Sequence, residues 1–175
     1  MNWKTLVRTI PDFPKPGIRF RDITPLLANA AAMRHVTAAL VEGYHGTIDT
    51  VAGIEARGFI FGALAAQALG VGFVPIRKPG KLPSAAIGHD YALEYGTNRI
   101  EMHADARAPG ERVLVVDDLL ATGGTAAAAA ALIDRLGAHV VACAFAIELL
   151  GLPGRAVLEQ RGAQVRALCT FTEDE

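Results

Sequence analysis

Two adjacent carboxylates, Asp117 and Asp118, end the apolar run Val113-Leu-Val-Val116 and stand just ahead of Leu-Leu-Ala-Thr-Gly-Gly-Thr125. An apolar run, a small turn and then the alanine-rich stretch Ala126–Ala131 spell a buried strand, a tight loop and the start of a helix. Backbone N–H groups of Ala121, Thr122, Gly123, Gly124 and Thr125 would lie free at that helix N-terminus, which suits a phosphate dianion. Gly123 and Gly124 let the backbone approach an anion without a Cβ clash, and the hydroxyls of Thr122 and Thr125 add donors. Asp117 and Asp118 can accept hydrogen bonds from a vicinal diol. A phosphate and a diol at that separation describe a ribose 5-phosphate. No lysine follows Gly124, so the loop is not a Walker cradle, and its glycines are adjacent, so it is not a dinucleotide fingerprint. A bare Gly-Gly-Thr fits any strand-to-helix turn; the apolar run and the acidic pair carry the reading.

Cations stand at two other predicted strand ends. Arg57, in Ile54-Glu-Ala-Arg-Gly-Phe59, occupies a strand-to-helix turn beside a glycine, placed to grip an anion. Arg77, Lys78 and Lys81 follow the next strand in Arg77-Lys-Pro-Gly-Lys-Leu-Pro83. Taken singly, Arg57 is equally a surface arginine paired with Glu55, and the second cluster a solvated basic loop. In an open parallel sheet, however, the strand ends converge on the edge where ligands bind. A phosphate turn, an acidic pair and four cations on one edge fit a ligand with a monophosphate at one end and a pyrophosphate at the other.

The elements that must hold these residues follow from the apolar periodicity. Strands are predicted at Thr50–Glu55, Val71–Arg77, Arg112–Val116, Val140–Leu149 and Gln164–Thr170. Helices are predicted at Phe59–Leu69 and Gly124–Leu136, the latter stopped by Gly137, and a further helix at Ala28–Gly43 covers the sheet. Alternation of strand and helix argues for an α/β fold with a mostly parallel sheet flanked by helices. Gly80–Arg107 is polar and carries Tyr91, Tyr95 and Gly96, which reads as a loop or hairpin leaving the core.

Composition sets the outer bounds. At 51% hydrophobic and 20% charged residues, 175 residues suffice for one packed domain and do not suggest disorder. A net charge of −1 gives no reason to expect nucleic acid or an anionic membrane as partner. Apolar stretches are broken well short of a membrane span, and the N-terminus lacks a basic-then-apolar signal, so a cytoplasmic protein is expected. Cys143 and Cys169 read as reduced thiols, and five histidines without ligand spacing make zinc unexpected.

Beyond the loop, the chain carries Asp12-Phe-Pro-Lys-Pro-Gly-Ile-Arg-Phe-Arg-Asp-Ile-Thr-Pro-Leu-Leu27, Glu55-Ala-Arg-Gly-Phe-Ile-Phe-Gly62 and Tyr91-Ala-Leu-Glu-Tyr-Gly96 in that order. Together these resemble the type I phosphoribosyltransferases, and the N-terminal block resembles the branch that takes adenine, over nearly all of the chain. The resemblance implies one domain over 1–175, with an N-terminal base-binding hood over 1–35 and a flexible lid loop over about 81–103. It implies Mg²⁺-dependent transfer of the phosphoribosyl group of 5-phosphoribosyl 1-pyrophosphate to adenine, with the metal held by substrate and water and not by a side chain. Purine contacts fall to Phe20 and Leu119 as the two walls and to the main chain around Arg19 and Arg21. A backbone carbonyl accepts from an amine but donates nothing to a 6-oxo group, which favours adenine. The resemblance gives pyrophosphate to Arg57, Arg77, Lys78 and Lys81, and makes Glu94 the proton carrier, with Tyr95 near the reacting sugar. It further implies a cis peptide at Glu55–Ala56 and a homodimer. The competing expectations are a 6-oxopurine enzyme of the same family, or a regulator that senses the activated sugar without turning it over.

Overall fold

The computed structural model describes residues 2–92, 96–106, 109–172 and 175. After a 3-10 turn at Trp3–Leu6, an antiparallel hairpin pairs β1 (Arg8–Ile10) with β2 (Phe20–Asp22). A short helix α1 (Thr24–Leu27) leads into α2 (Ala30–Val41), whose N-terminus is capped by the Asn29 side chain accepting from the Ala32 N–H at 3.0 Å. Then come β3 (Thr50–Ile54), α3 (Arg57–Leu69) and β4 (Gly72–Ile76). A second hairpin joins β5 (Ala86–Ala92) to β6 (Thr97–His103). The chain closes with β7 (Arg112–Leu120), α4 (Gly124–Arg135), β8 (His139–Leu149), α5 (Gly154–Glu159) and β9 (Gln164–Phe171).

Five of these strands form one parallel sheet in the order β4-β3-β7-β8-β9. Its centre is apolar on both faces, as a sheet covered on both sides requires. In β7, Val113, Leu114, Val115 and Val116 are all fully buried. Leu114 and Val116 face α2 and α3, together with Met33, Val36, Leu40 and Phe61. Val113 and Val115 face the other way, onto α4, with Ala126, Ala129, Ala130 and Ile133. The small alanine side chains let α4 lie close to the sheet. Gly137, at φ 75°, ends the helix where the sequence placed its stop.

Three features bear on the site, two of them departures from the sequence reading and one the hairpin that it allowed. Strand β7 does not stop at Val116. It runs on through Leu120, with Asp117, Leu119 and Leu120 in register with Phe145, Ile147 and Glu148 of β8. Backbone pairing is indifferent to the acidic side chains that broke the apolar pattern, so both aspartates sit on a strand and the loop shrinks to Ala121–Gly123. Most of the polar segment after Gly80 is the β5–β6 hairpin, anchored by buried Ile100 and Met102 against the α4 face and tied to β4 by the Arg77–Glu101 bridge. Finally, α5 has no counterpart in the sequence reading. Both cysteines are free thiols, and burial pushes Cys143 up to about 12 and Cys169 to about 11, so neither is poised as a nucleophile. No helix among the described residues is long and apolar enough to cross a membrane.

Candidate active site

The carboxyl ends of β3, β4 and β7 open onto a cavity of about 400 Å³. Arg57, Lys78, Asp117, Asp118, Leu119 and Thr125 line it, so one space collects predicted groups from three separate strand ends. A smaller cavity of about 90 Å³ adjoins it, lined by Leu120–Ala126 and Phe145, and Asp117, Leu119 and Thr125 belong to both.

The small cavity lies at the N-terminus of α4. Gly123 takes the left-handed conformation, φ 80°, and its carbonyl accepts the first helical bond from Ala127 at 2.9 Å. The amides of Gly124, Thr125 and Ala126 then have no intrahelical acceptor and point at the loop's hollow. A residue absent from the sequence reading braces this loop. The Gly154 N–H donates to the Ala121 carbonyl at 3.1 Å, and a Cβ on Gly154 would stand 2.3 Å from that oxygen. A Cβ on Gly123 would likewise meet the Gly154 carbonyl at 2.8 Å. The only sequence signal for Gly154 was the Pro153-Gly154 pair as a turn and helix start.

The acidic pair is divided in its surroundings. Asp117 is hemmed in by α3, since a Cβ on Gly58 would lie 2.7 Å from Asp117 Oδ1. Burial pushes the Asp117 carboxyl well above the usual carboxylate range, and the Asp118 charge adds to the effect. The Asp118 N–H, donating to Asp117 Oδ1 at 2.8 Å, and the Arg57 charge oppose it. Asp118 is itself buried, 4% exposed, with Oδ2 2.6 Å from Arg57 Nε. That contact lacks hydrogen-bond alignment, and Asp118 Oδ2 has no other donor among the described residues. The pair is a close charge contact with acceptor capacity to spare.

The predicted cations are handled unequally. Arg57 and Lys78 face the cavity, whereas Arg77 turns to Glu55, with Nε–Oε2 3.2 Å and Nη2–Oε1 3.3 Å. Arg77 Nη1 also donates to the Lys81 carbonyl at 2.9 Å, and the Lys78 N–H donates to Glu55 Oε2 at 2.9 Å. Glu55 is therefore the organiser of the basic loop, and the partner of Arg57 is Asp118 and not Glu55. Lys81 is exposed and outside the cavity. The Glu55–Ala56 peptide between these groups is cis.

Residues assigned to the base fall around two spaces. Leu119 lines the main cavity, while Arg19 and Arg21 line a cleft of about 480 Å³ with Ile18, Leu149, Leu150 and Thr172. Phe20 stands beside the main cavity. The Arg57 guanidinium lies 5.0 Å from its ring centroid, and Phe13 packs edge-on at 5.2 Å. The Arg21 side chain is committed elsewhere, to Thr9 Oγ1, to the carbonyls of Thr172 and Glu175 and to the Phe171 ring. Arg21 Nε is buried without a partner among the described residues, and the main chain of Arg21 lies on a strand paired along one edge by β1. Glu94 and Tyr95 lie outside the described residues. Tyr91, Asn98 and Ile100 on the flanking strands line the main cavity, and none of the three was picked out as a ligand from sequence. Strand alternation of β5 and β6 was their only signal.

A family model described as the phosphoribosyl transferase domain matches residues 21–160, which span the acidic pair, the glycine loop and the cationic turns. The chain belongs to the phosphoribosyltransferase family. Its relatives narrow the class. The adenine phosphoribosyltransferase of Methylobacillus flagellatus is 60% identical over 176 residues, covering 100% of both chains. The crystal structure of adenine phosphoribosyltransferase from Thermoanaerobacter pseudethanolicus superimposes with a TM-score of 0.92 at 50% identity, covering 96% of this chain and 97% of that one. The Saccharomyces cerevisiae adenine phosphoribosyltransferase, complexed with an imino-altritol bisphosphate and adenine, gives 0.87 at 40% identity over 94% and 95% of the two chains.

Proposed function

We propose that this chain transfers the 5-phosphoribosyl group of 5-phosphoribosyl 1-pyrophosphate to adenine, forming AMP and pyrophosphate. The observation that carries the reading is the pair of adjoining cavities that brings a helix-N-terminal anion loop next to two carboxylates and the Arg57–Lys78 cations, in a chain whose relatives bear the adenine enzyme's name. The amides and hydroxyls of Ala121–Thr125 hold the 5-phosphate. Asp117 and Asp118 accept from the ribose hydroxyls, which relieves two carboxylates crowded together with few donors. Arg57 and Lys78 take the pyrophosphate end, with Arg77 and Lys81 completing the basic rim. The base lies between Phe20 and Leu119, its amino edge toward the main chain of Arg19 and Arg21.

In the reaction the bond from the anomeric carbon to pyrophosphate breaks and a bond to the purine ring nitrogen forms, through an oxocarbenium-like state. Glu94 receives the proton that the ring nitrogen loses, and Tyr95 packs beside the sugar. The segment from Lys81 to about His103 excludes water by closing as a lid. A hydrated Mg²⁺ would suit this donor set: Asp117 and Asp118 line the cavity as hard-oxygen acceptors for its waters, and the substrate would supply the remaining oxygens. When bound, the ion neutralises charge developing on the departing pyrophosphate. The working protein is a cytoplasmic homodimer.

The test is incubation of the protein with adenine, 5-phosphoribosyl 1-pyrophosphate and Mg²⁺. AMP and pyrophosphate should appear in equal amounts and cease when the metal is chelated. Release of pyrophosphate without consumption of adenine would refute the assignment.

A further inference from the structure

One side chain links the β5–β6 hairpin to the anion loop. The Thr125 hydroxyl hydrogen-bonds to the Tyr91 hydroxyl at 3.0 Å, and the Tyr91 ring lies 3.4 Å from where a Cβ on Gly124 would stand. Tyr91 lines the main cavity beside Arg57, Asp117 and Asp118, and Thr125 continues that wall into the small cavity. The body of the hairpin is fixed here, because Ile87 and Tyr91 pack on the α4 face and Arg135 Nη1 donates to the Gly88 carbonyl at 2.7 Å. Packing explains an aromatic ring at this position. It does not explain a hydroxyl brought to the lip of an anion site.

Donor arithmetic supplies the reason. A hydroxyl has one hydrogen to give and can also accept. The Thr125 and Tyr91 hydroxyls share one hydrogen bond, in which either can donate, so one of their two hydrogens is left without an acceptor among the described residues. A dianion seated on the first amides of α4 is the strongest acceptor this corner can contain, and hydrogen bonds to charged groups outweigh neutral ones. It would draw the Thr125 hydrogen and leave Tyr91 with a hydrogen aimed at the same anion. We propose that Tyr91 is a further phosphate-binding residue: its hydroxyl donates to the anion held by Ala121–Thr125. This rests on the reading of the loop as the 5-phosphate site.

Tyr91→Phe keeps the ring on Gly124 and removes only the hydroxyl. Calorimetric titration of the full-length protein should show ribose 5-phosphate binding the variant about tenfold or more weakly than wild type, the usual consequence of losing a hydrogen bond to a charged group. Binding of magnesium pyrophosphate, which occupies the opposite end of the site, should stay within about twofold, on the same reasoning. Unchanged affinity for ribose 5-phosphate would overturn the proposal. Equal weakening of both ligands would also overturn it, since that is the mark of a loosened hairpin. Neither probe contains a purine, so a wild-type protein that ignores adenine would refute the proposed reaction and leave this comparison readable.

Discussion

On the proposed reading, Asp117 trades stability for binding. Its carboxyl is pressed under the start of α3 and set beside Asp118, and both effects favour the protonated form. A carboxyl whose folded-state pKa is raised contributes stability fully below the unfolded value, about 3.9, and loses that contribution as pH rises through the folded value. At neutral pH Asp117 is therefore a liability unless sugar hydroxyls donate to it. Asp117→Asn should raise the melting temperature at pH 7 by about 2–4 °C, on the order of 1 kcal/mol, with the advantage gone near pH 3. Affinity for ribose 5-phosphate should fall in the same variant. A melting curve at each pH checks the sign, and a lower melting temperature at pH 7 would contradict it. Glu94 is a second test at this scale. In single-turnover experiments Glu94→Gln should slow the chemical step by roughly 10²–10⁴-fold, the usual worth of a positioned general base. An unchanged step would remove Glu94 from the mechanism. The meeting of Arg57, Lys78, Asp117, Asp118 and Thr125 around one cavity was legible in the sequence, because each stands at the end of a readable strand or the start of a readable helix. What the residue types could not convey was pairing. That Arg77 turns to Glu55 while Arg57 meets Asp118 depends on how three strand ends are spaced, and one sequence does not record that spacing.

Among the elements, α5 is a strut for the anion loop. Its first residue, Gly154, donates to Ala121 and fills the space beneath Gly123. Its second residue, Arg155, grips buried Glu148 at the end of β8, with contacts of 2.9 and 2.6 Å. Gly154→Ala would drive a methyl group into the backbone of Ala121. The expected cost is about 1–3 kcal/mol of stability, as for overpacking elsewhere. The KM for 5-phosphoribosyl 1-pyrophosphate should rise severalfold while the KM for adenine changes little. Equal rises in both constants would mean that the strut does not act through the loop. The sequence revealed β3, β4, β8 and β9 to within a residue or two because sustained apolar runs in a parallel sheet are buried on both faces. It hid α5, six residues long, and the three-residue strands β1 and β2, since such short elements have no periodicity to read. Strand β7 was read short for the opposite reason. Its functional carboxylates interrupt the pattern that marks a strand.

For the molecule as a whole, the parallel sheet brings the ligand groups to one edge, and the N-terminal hairpin adds the aromatic wall through Phe20 and its contact with Arg57. Light scattering on the purified protein should give about twice the 18.4 kDa of one chain. A mass of one chain across the working concentration range would contradict the homodimer. On the proposed reading, base choice is also a property of the assembled molecule, because it would need the hairpin's main chain poised over a sugar held by the sheet. The most direct measurement is a competition in which adenine, hypoxanthine and guanine at equal concentration share a limiting amount of 5-phosphoribosyl 1-pyrophosphate with Mg²⁺, and the nucleotides formed are separated and counted. AMP should account for nearly all of the product. Nucleotides of hypoxanthine or guanine in comparable or greater amount would contradict the account.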